Sequence, residues 1–363
     1  MSGGVDSSVA AALLQEKGFE VIGMTMCFLG GGGIAAQENL TEGAGKRPGC
    51  CGLQGIEDAR RVAYTLGIKH YVVNMQKALD EYVIDDFCQE YLAGRTPNPC
   101  IRCNQFVKFG ALLKKTLALG AAYLATGHYA RIVKAPGARR QAAGYILKKA
   151  KDSKKDQSYF LFRLHQDQLK HILFPLGNYT KDKVRKLARR YAPAVAQKLD
   201  SQEICFLPDN NYRAFLGRRC AGKISPGPIV DTLGRVVGQH KGIAFYTIGQ
   251  REGLGIALGH PAYIISIDAL ANRIVVGTKA DAYAQEFIVG LTHFIRAPLK
   301  KKVALGVRIR YNHRQALADI EPEGLFLRVK FRLPQFAITP GQSAVFYDKD
   351  IVVGGGIIER AVH

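Results

Sequence analysis

The chain has 363 residues, of which 47% are hydrophobic and 22% charged, and its formal net charge is +21 at pH 7. This composition is typical of a folded globular protein and excludes a disordered chain, and its longest charge-free stretch is too short and too rich in glycine to span a bilayer. We therefore expect two or three domains, no membrane partner and, since no secretory leader opens the sequence, a cytoplasmic location.

Helical and strand patterns alternate over about the first 200 residues. Apolar residues recur at helical spacing from Ser7 to Lys17, before Gly18, and the stretch EVIGMTMCF that follows reads as a buried strand. The same order recurs in IEDARRVAYTLGI followed by KHYVVNM, and in GALLKKTLALGA followed by AYLATGHYARI. This alternation predicts an α/β fold with a parallel sheet covered by helices and with ligand sites at the carboxyl ends of the strands.

Two regions depart from this alternation. The stretch from Gly30 to Gly49 is rich in glycine and is predicted to be a mobile flap over the site or an unstructured insertion. Beyond about residue 200, short β-rich runs are separated by Gly, Pro, Asn and Asp, which predicts an all-β region made of a small adaptor and a barrel.

The positive charge favours nucleic acid as the partner, because a surplus of this size attracts a phosphate backbone at physiological salt. It is concentrated in a lysine run at 148–155, in a predicted helix at 181–190 and in two stretches near the C-terminus, 300–302 and 308–314. The helix could present only a solvated face, but its single acidic residue, Asp182, makes phosphate binding the preferred interpretation.

Residues 2–8, SGGVDSS, form what we call the anion loop. Two glycines let a backbone approach an anion, and hydroxyl groups and the first amides of a helix can donate hydrogen bonds to it. The alternative is an ordinary helix start. The loop contains no lysine of the kind found in a Walker loop, so kinase-type phosphoryl transfer is disfavoured.

The eight cysteines of a long chain without a leader favour a reducing compartment, where thiols are catalytic or bind metal. Cys100 and Cys103 form a C-x-x-C pair that could be half of a zinc site, although no second half has matching spacing. Nearby basic residues favour the reactive thiolate instead. Cys205 lies about a hundred residues further on, and Cys27, Cys88 and Cys220 are predicted to lie in the core.

Seven motifs occur in the order found in tRNA-specific 2-thiouridylases, the MnmA family, which the sequence therefore resembles over nearly its whole length. They are the anion loop, AGRTPNPCIRCNQFVKFGALL, LATGHYARI, KKDQSYFL, DSQEICF, HKGIAFYTIGQR and RIRYNHR. The resemblance implies a PP-loop ATP-binding domain at 1–200, a central tRNA-binding adaptor at 201–278 and a C-terminal β-barrel at 279–363. It also implies ATP with Mg²⁺, sulfur from a cysteine desulfurase or a sulfur-relay protein, and the wobble uridine of the tRNAs for Lys, Glu and Gln.

The resemblance assigns roles residue by residue. Cys205 would carry a persulfide, Cys103 would be its partner nucleophile, and Asn98, Pro99 and Cys100 would line the target base. The implied ATP contacts are Ser2, Gly3, Gly4, Val5, Asp6, Ser7, Ser8, Met26 and Gly127. The implied tRNA contacts are His128, Lys155, Asp156, Gln157, Arg310, Tyr311 and Gln342.

The sequence departs from the family pattern at two points. Many relatives have Asp where this chain has Cys100, so Cys100, Cys103 and Cys205 could instead hold an iron–sulfur cluster whose open iron carries the sulfur. The family also has an apolar strand ahead of the anion loop, so the sheet is expected to lack a central strand. The rival hypotheses are another PP-loop adenylating enzyme, of the amidotransferase or argininosuccinate synthetase type, and a non-catalytic RNA-binding protein.

Overall fold

The computed structural model describes residues 1–28, 53–135, 144–199, 204–207 and 211–362. The stretch predicted to be a flap lies outside the described residues. The chain divides into two compact units. Unit 1 comprises Met1–Tyr82 and Arg102–Asn210, and unit 2 comprises Val83–Ile101 and Asn211–His363.

The helices and strands are labelled here in chain order. The α-helices of the described residues are α1 (Val5–Glu16), α2 (Leu53–Thr65), α3 (Gln76–Leu79), α4 (Asp85–Leu92), α5 (Pro99–Arg102), α6 (Leu113–Ala118), α7 (Gln166–Leu169), α8 (Lys181–Tyr191) and α9 (Tyr212–Arg219). π-Helical turns span Asp80–Ile84 and Cys103–Leu112, and 3₁₀ turns span Ser158–Leu161, Pro193–Val195, Ile243–Phe245 and Ala280–Ala282. The strands of unit 1 are β1 (Gly23–Cys27), β2 (His70–Asn74), β3 (Leu124–Ala125), β4 (Ala130–Lys134), β5 (Tyr145–Lys149) and β6 (Ile172–Leu173). Those of unit 2 are β7 (Gly227–Val230), β8 (Val236–His240), β9 (Tyr263–Asp268), β10 (Arg273–Gly277), β11 (Tyr283–Phe294), β12 (Val303–Arg308), β13 (Ala316–Glu323), β14 (Phe326–Phe336), β15 (Ser343–Asp348) and β16 (Ile351–Val362).

Unit 1 has the predicted α/β character. Its parallel strands form two ladders in the described residues, β1 with β2 and β3 with β6, while β4 and β5 form an antiparallel hairpin. The hydroxyl group of Thr25 in β1 donates to the carbonyl of Met1 over 2.7 Å, and the Met1 amine donates to the Met24 carbonyl. The residues just before the anion loop are therefore held against β1.

Helix α1 begins within the anion loop, at Val5, and ends before Gly18, whose φ of +81° closes the helix as the sequence predicts. Its apolar side, which includes Val9 and Leu13, packs with Val184 and Ala188 of α8 in one buried cluster. This packing fixes the first turn of α8 relative to the anion loop.

The helical segment that carries the C-x-x-C pair starts earlier than the sequence analysis predicts. Its helical pattern was recognised only from Gly110, whereas the structure is helical from Pro99 to Ala118. Proline is favourable at the first helical position, so Pro99 opens the helix. The middle of this helix is a ten-residue π-helical stretch, a geometry that is found frequently at functional sites.

Unit 2 contains two β-structures. A four-stranded sheet has the order β8-β7-β10-β9, and six antiparallel strands form a barrel in the order β11-β14-β13-β12-β15-β16, closed by pairing of β11 with β16. Phe287, Phe331 and Phe346 are fully buried in the barrel core. The predicted adaptor and barrel are thus confirmed as architecture. None of the helices in the described part of the chain has the length and apolarity needed to cross a bilayer.

Candidate functional site

The anion loop has a backbone shape that only glycine permits. Gly3 has a φ of +66°, and a Cβ atom at this position would lie 2.2 Å from the carbonyl oxygen of Gly55. Gly127, in the turn after β3, packs so closely that a Cβ atom there would lie 2.8 Å from the backbone nitrogen of Ser7. The loop is therefore held between two backbone segments, at Gly55 and at Gly127. The turn at Gly127 follows the carboxyl end of β3, which agrees with the predicted placement of ligand sites.

The hydroxyl groups of the anion loop are ordered by hydrogen bonds within it. The Ser2 amide donates to the Ser7 Oγ over 3.0 Å, and the Ser7 and Ser8 hydroxyl groups donate to the Gly4 carbonyl over 3.2 and 2.8 Å. Gly4 is the N-cap of α1 and offers no side chain to its first amides. The positive end of the α1 dipole is consequently directed at the loop without a capping side chain, which favours an anion there.

Asp6 and Lys181 form an ion pair at the anion loop. The Lys181 ammonium donates to both carboxylate oxygens of Asp6, over 2.8 and 2.9 Å, and its side chain is only 9% exposed. The Tyr129 hydroxyl group donates to Asp6 Oδ1 over 2.8 Å. Lys181 was assigned to a phosphate-binding helix face by the sequence analysis, but the structure buries it. The exposed basic residues of α8 are Lys183, Lys186, Arg189 and Arg190.

A second lysine, Lys198, supports the anion loop from its other side. Its ammonium donates to the Gly3 carbonyl over 3.1 Å and pairs with Asp58, which is almost fully buried in α2. Neither this contact nor the pairing of Lys181 was predicted from the sequence. The only signal for them was the basic surplus of the region around residues 181–198.

The other residues assigned to ATP lie in the same unit. Val5 is buried at the start of α1, and Met26 is half-buried near the end of β1, opposite Val73 of β2. Gly127 contacts the anion loop as described above. The structure thus brings Gly127 to the loop and places Met26 near the carboxyl end of β1.

His128 lies directly after Gly127 and packs against two aromatic rings. Its ring centroid is 5.8 Å from that of Phe109 and 5.8 Å from that of Phe174, and its Nδ1 is 2.8 Å from the hydroxyl oxygen of Thr126. Burial among these rings, reinforced by the Lys108 charge, lowers the pKa of His128 well below its ordinary value. The imidazole is therefore neutral near pH 7.

The stretch Lys155–Gln157 is integrated into unit 1. The Asp156 carboxylate is 5% exposed and accepts hydrogen bonds from the Ala150 amide (3.0 Å) and from both the amide and the hydroxyl group of Ser158 (3.2 and 3.0 Å). Gln157 accepts a hydrogen bond from the Tyr129 amide over 2.9 Å. These side chains therefore shape the loop in which the half-buried Lys155 lies.

Residues Thr96–Cys100, which we call the TPNPC segment, belong to unit 2 and are clamped by a turn of that unit. The Gln342 amide donates to the carbonyls of Thr96 and Pro97 over 3.0 and 3.1 Å, and the Thr96 amide donates to the Pro340 carbonyl over 2.8 Å. Gly341, with a φ of +88°, approaches so closely that a Cβ atom would lie 2.8 Å from the Thr96 nitrogen. The backbone ahead of Asn98 is thereby fixed.

The end of the TPNPC segment opens helix α5. The side-chain oxygen of Asn98 accepts from the Ile101 amide over 3.3 Å, as in an N-cap, and Pro99 is the first helical residue. Cys100 is exposed, whereas Cys103, the first residue of the π-helical stretch, is 8% exposed. The two thiols therefore differ in their access to solvent.

Arg310 and Tyr311, which the resemblance assigns to tRNA, follow strand β12 of the barrel. The Arg310 guanidinium donates to the Phe336 carbonyl over 3.1 Å, and the Tyr311 carbonyl accepts a hydrogen bond from Arg308. Both residues are half-buried. They form part of a tight turn at one end of the barrel.

Cys205 is exposed and lies in the short described stretch 204–207 of unit 1. Within the described ranges, no three His, Cys, Asp or Glu side chains form a group that could hold a metal ion.

Comparisons with known proteins agree with this architecture. Family models match at residues 1–209 (tRNA methyl transferase HUP domain), 213–278 (tRNA methyl transferase PRC-barrel domain) and 284–358 (Aminomethyltransferase beta-barrel domain). The chain is 52% identical over 364 residues to tRNA-specific 2-thiouridylase MnmA 2 of Caldanaerobacter subterraneus subsp. tengcongensis, with 100% of this chain and 97% of the relative covered. It is 49% identical over 361 residues to tRNA-specific 2-thiouridylase MnmA of Clostridium acetobutylicum, with 99% and 98% covered. It is also 48% identical over 362 residues to tRNA-specific 2-thiouridylase MnmA of Halothermothrix orenii, with 99% and 98% covered.

Proposed function

The chain belongs to the tRNA-specific 2-thiouridylase family, and on that premise we propose that it replaces the C2 oxygen of the wobble uridine with sulfur in the tRNAs for Lys, Glu and Gln. The proposed reaction consumes ATP, bound with Mg²⁺ at the anion loop, and releases AMP and pyrophosphate. The uridine C2 oxygen is a poor leaving group, so its adenylation would precede the arrival of sulfur.

The observation that carries the proposal is the physical link between the anion loop and the helix of Cys103 within unit 1. Gly127 packs against Ser7 of the loop, the adjacent His128 packs on Phe109, and Phe109 lies in the same π-helical stretch that Cys103 opens. Cys205 belongs to the same unit. A nucleotide at the loop and a thiol at the start of this helix would therefore be held by one continuous packed network.

In the proposed sequence of steps, the uridine C2 oxygen first attacks the α-phosphorus of ATP, and pyrophosphate leaves with the electron pair of the broken P–O bond. The terminal sulfur of a Cys205 persulfide then attacks C2, and AMP departs with the former C2 oxygen. The Cys103 thiolate next attacks the Sγ of Cys205, which releases 2-thiouridine and leaves a Cys103–Cys205 disulfide. A thiol reductant restores the two cysteines, and a cysteine desulfurase or a relay protein reloads the persulfide.

The remaining assigned residues would receive the tRNA. Asn98, Pro99 and Cys100 would line the extruded uracil, in agreement with the general rule that chemistry on a base requires its removal from the stack. His128, Lys155, Asp156, Gln157, Arg310, Tyr311 and Gln342 are proposed as tRNA contacts. Because its pKa is lowered, His128 would contact RNA as a neutral hydrogen-bonding group rather than as a cation.

The proposal is tested by incubating unmodified tRNA with the protein, ATP, Mg²⁺ and a persulfide donor, followed by mass analysis of the tRNA nucleosides. We expect 2-thiouridine with the wild type, none with Cys103→Ser or Cys205→Ser, and retained activity with Cys100→Ser. Loss of activity in Cys100→Ser as well, together with iron in protein purified without oxygen, would favour the cluster. Activity in all three variants would contradict thiol chemistry, and a methylated uridine would contradict thiolation.

A further inference from the structure

The anion loop contains no lysine, and the structure brings one to it from a distant part of the chain. Lys181, separated from Asp6 by 175 positions, places its ammonium on both carboxylate oxygens of this loop residue. The loop thus acquires an ammonium group that its own sequence lacks.

The backbone position of Lys181 is fixed by its surroundings. Its amide donates to the Asp152 carboxylate over 2.9 Å, and the Thr180 hydroxyl group caps the helix that it begins. Further along this helix, Val184 and Ala188 are fully buried against α1. Helix α1 in turn starts at the anion loop, so the backbone that carries Lys181 and the loop amides are parts of one packed arrangement.

The burial of Lys181 argues against a role in binding tRNA phosphates. A tRNA-binding lysine keeps its ammonium in solvent until the RNA arrives, as the exposed Lys183 and Lys186 do, whereas the Lys181 side chain is 9% exposed. Removing an ammonium from water is costly, and Asp6 compensates for that cost. Asp6 has a further donor, the Tyr129 hydroxyl group, so its carboxylate stays bonded if Lys181 turns toward another anion.

We propose that Lys181 is the phosphate-binding cation of the anion loop and that its ammonium contacts the β- and γ-phosphates of ATP, the part that leaves as pyrophosphate. This inference rests on the proposed function. As the bond from the uridine C2 oxygen to the α-phosphorus forms, the bond to the β-phosphate oxygen breaks, its electron pair goes to pyrophosphate, and the N3 proton of the uridine passes to solvent. An ammonium held beside the departing group stabilises the charge that develops on it.

The test uses Lys181→Met, which keeps the aliphatic stem and removes the charge, with Lys183→Met on the exposed face of the same helix as the matched control. Binding of inorganic pyrophosphate, ATP and AMP with Mg²⁺ is measured by calorimetry without tRNA. We expect Lys181→Met to weaken pyrophosphate and ATP about 10- to 100-fold, the range for a lost charge-assisted hydrogen bond, and to leave AMP unchanged because it lacks the contacted phosphates. Lys183→Met should bind all three ligands as the wild type does.

A structural role for Lys181 predicts a different pattern. If Lys181 only neutralises Asp6, then Asp6→Asn removes the need for it, and Asp6→Asn/Lys181→Met should bind pyrophosphate as well as Asp6→Asn does. Our assignment predicts a further loss of about tenfold in the double variant, a drop equivalent to one charged contact. Melting temperatures of all variants show whether each is folded.

The possible failures are distinguishable. If the wild type binds neither ATP nor pyrophosphate, the proposed function itself is contradicted. If the wild type binds both and Lys181→Met binds them equally well, only the assignment of Lys181 is overturned. The assignment is also overturned if Lys181→Met loses tRNA affinity while keeping its affinity for pyrophosphate.

Discussion

The anion loop and the TPNPC segment are both short, glycine- or proline-rich stretches that precede a helix, yet different forces hold them. The anion loop is bound by its own serines and by two partly buried ion pairs, Asp6 with Lys181 and Asp58 with Lys198. The TPNPC segment is held by neutral hydrogen bonds to its backbone carbonyls from Gln342. Charge therefore organises the region proposed for phosphate chemistry, and backbone geometry organises the region proposed for the base.

The largest effect is expected at Gly3, where Gly3→Ala should abolish ATP binding. The alanine would need a positive φ and would place its Cβ 2.2 Å from the Gly55 carbonyl oxygen, so the loop must move. Gly67 has the same φ of +66° with open space around it, which makes Gly67→Ala the matched control. The control should cost about 1 kcal/mol of stability and leave ATP affinity unchanged. Calorimetry measures the ATP affinity of both variants. Equal affinities would contradict the claim that the anion loop has no space for a side chain at Gly3.

This contrast also explains how much the sequence alone could predict. The hydroxyl and glycine pattern of the anion loop lies within seven consecutive residues, so the helix that it opens was predicted directly. The contacts of Lys181 and Lys198 with the loop were not predicted, because they depend on tertiary packing and no local sequence pattern indicates them. Gln342 was named for tRNA through the resemblance, but its clamp on Thr96 joins positions separated by 246 residues.

A second prediction concerns the cysteines of unit 2, which differ in access to solvent. Cys88 is buried, and burial together with a hydrogen bond between the Cys88 thiol and Cys220 raises the pKa of Cys88 to about 12, from an ordinary 9.0. Its thiolate population near pH 8 is then lower by about 10³-fold, so alkylation should slow by a similar factor relative to the unfolded chain. Peptide mass analysis after iodoacetamide treatment should show Cys100 modified first. Equal rates at Cys88 and Cys100 in the folded protein would be incompatible with this contrast.

A smaller effect is expected when the clamp on the TPNPC segment is removed. Gln342→Ala loses two hydrogen bonds and should cost about 1–3 kcal/mol of stability. Gln342→Glu should cost more, because a carboxylate would then face two carbonyl oxygens without a donor. Urea unfolding measures both variants, and ATP affinity should stay constant because the anion loop has no part in the clamp. If Gln342→Glu is as stable as the wild type, the two hydrogen bonds from Gln342 do not contribute to the stability of the protein.

The smallest effect concerns the pH dependence of stability near the anion loop. The pKa of His128 is lowered in the folded protein from an ordinary 6.5, so the unfolded chain binds the proton more readily, and stability falls as pH drops below about 6.5. His128→Gln removes this penalty. Between pH 7.5 and 5.5 the variant should lose about 1 kcal/mol less stability than the wild type. Equal losses of stability in the two proteins over this pH range would contradict a neutral His128 in the folded protein.

The central claim is that the anion loop activates a tRNA uridine with ATP, and coupled measurement of pyrophosphate and 2-thiouridine tests it most directly. With the wild type and a persulfide donor, we expect pyrophosphate to appear one-to-one with 2-thiouridine, and only with tRNA that carries a wobble uridine. A tRNA in which that uridine is replaced by cytidine should yield neither product. Thiolation without pyrophosphate, or pyrophosphate release that is indifferent to the tRNA, would contradict the account.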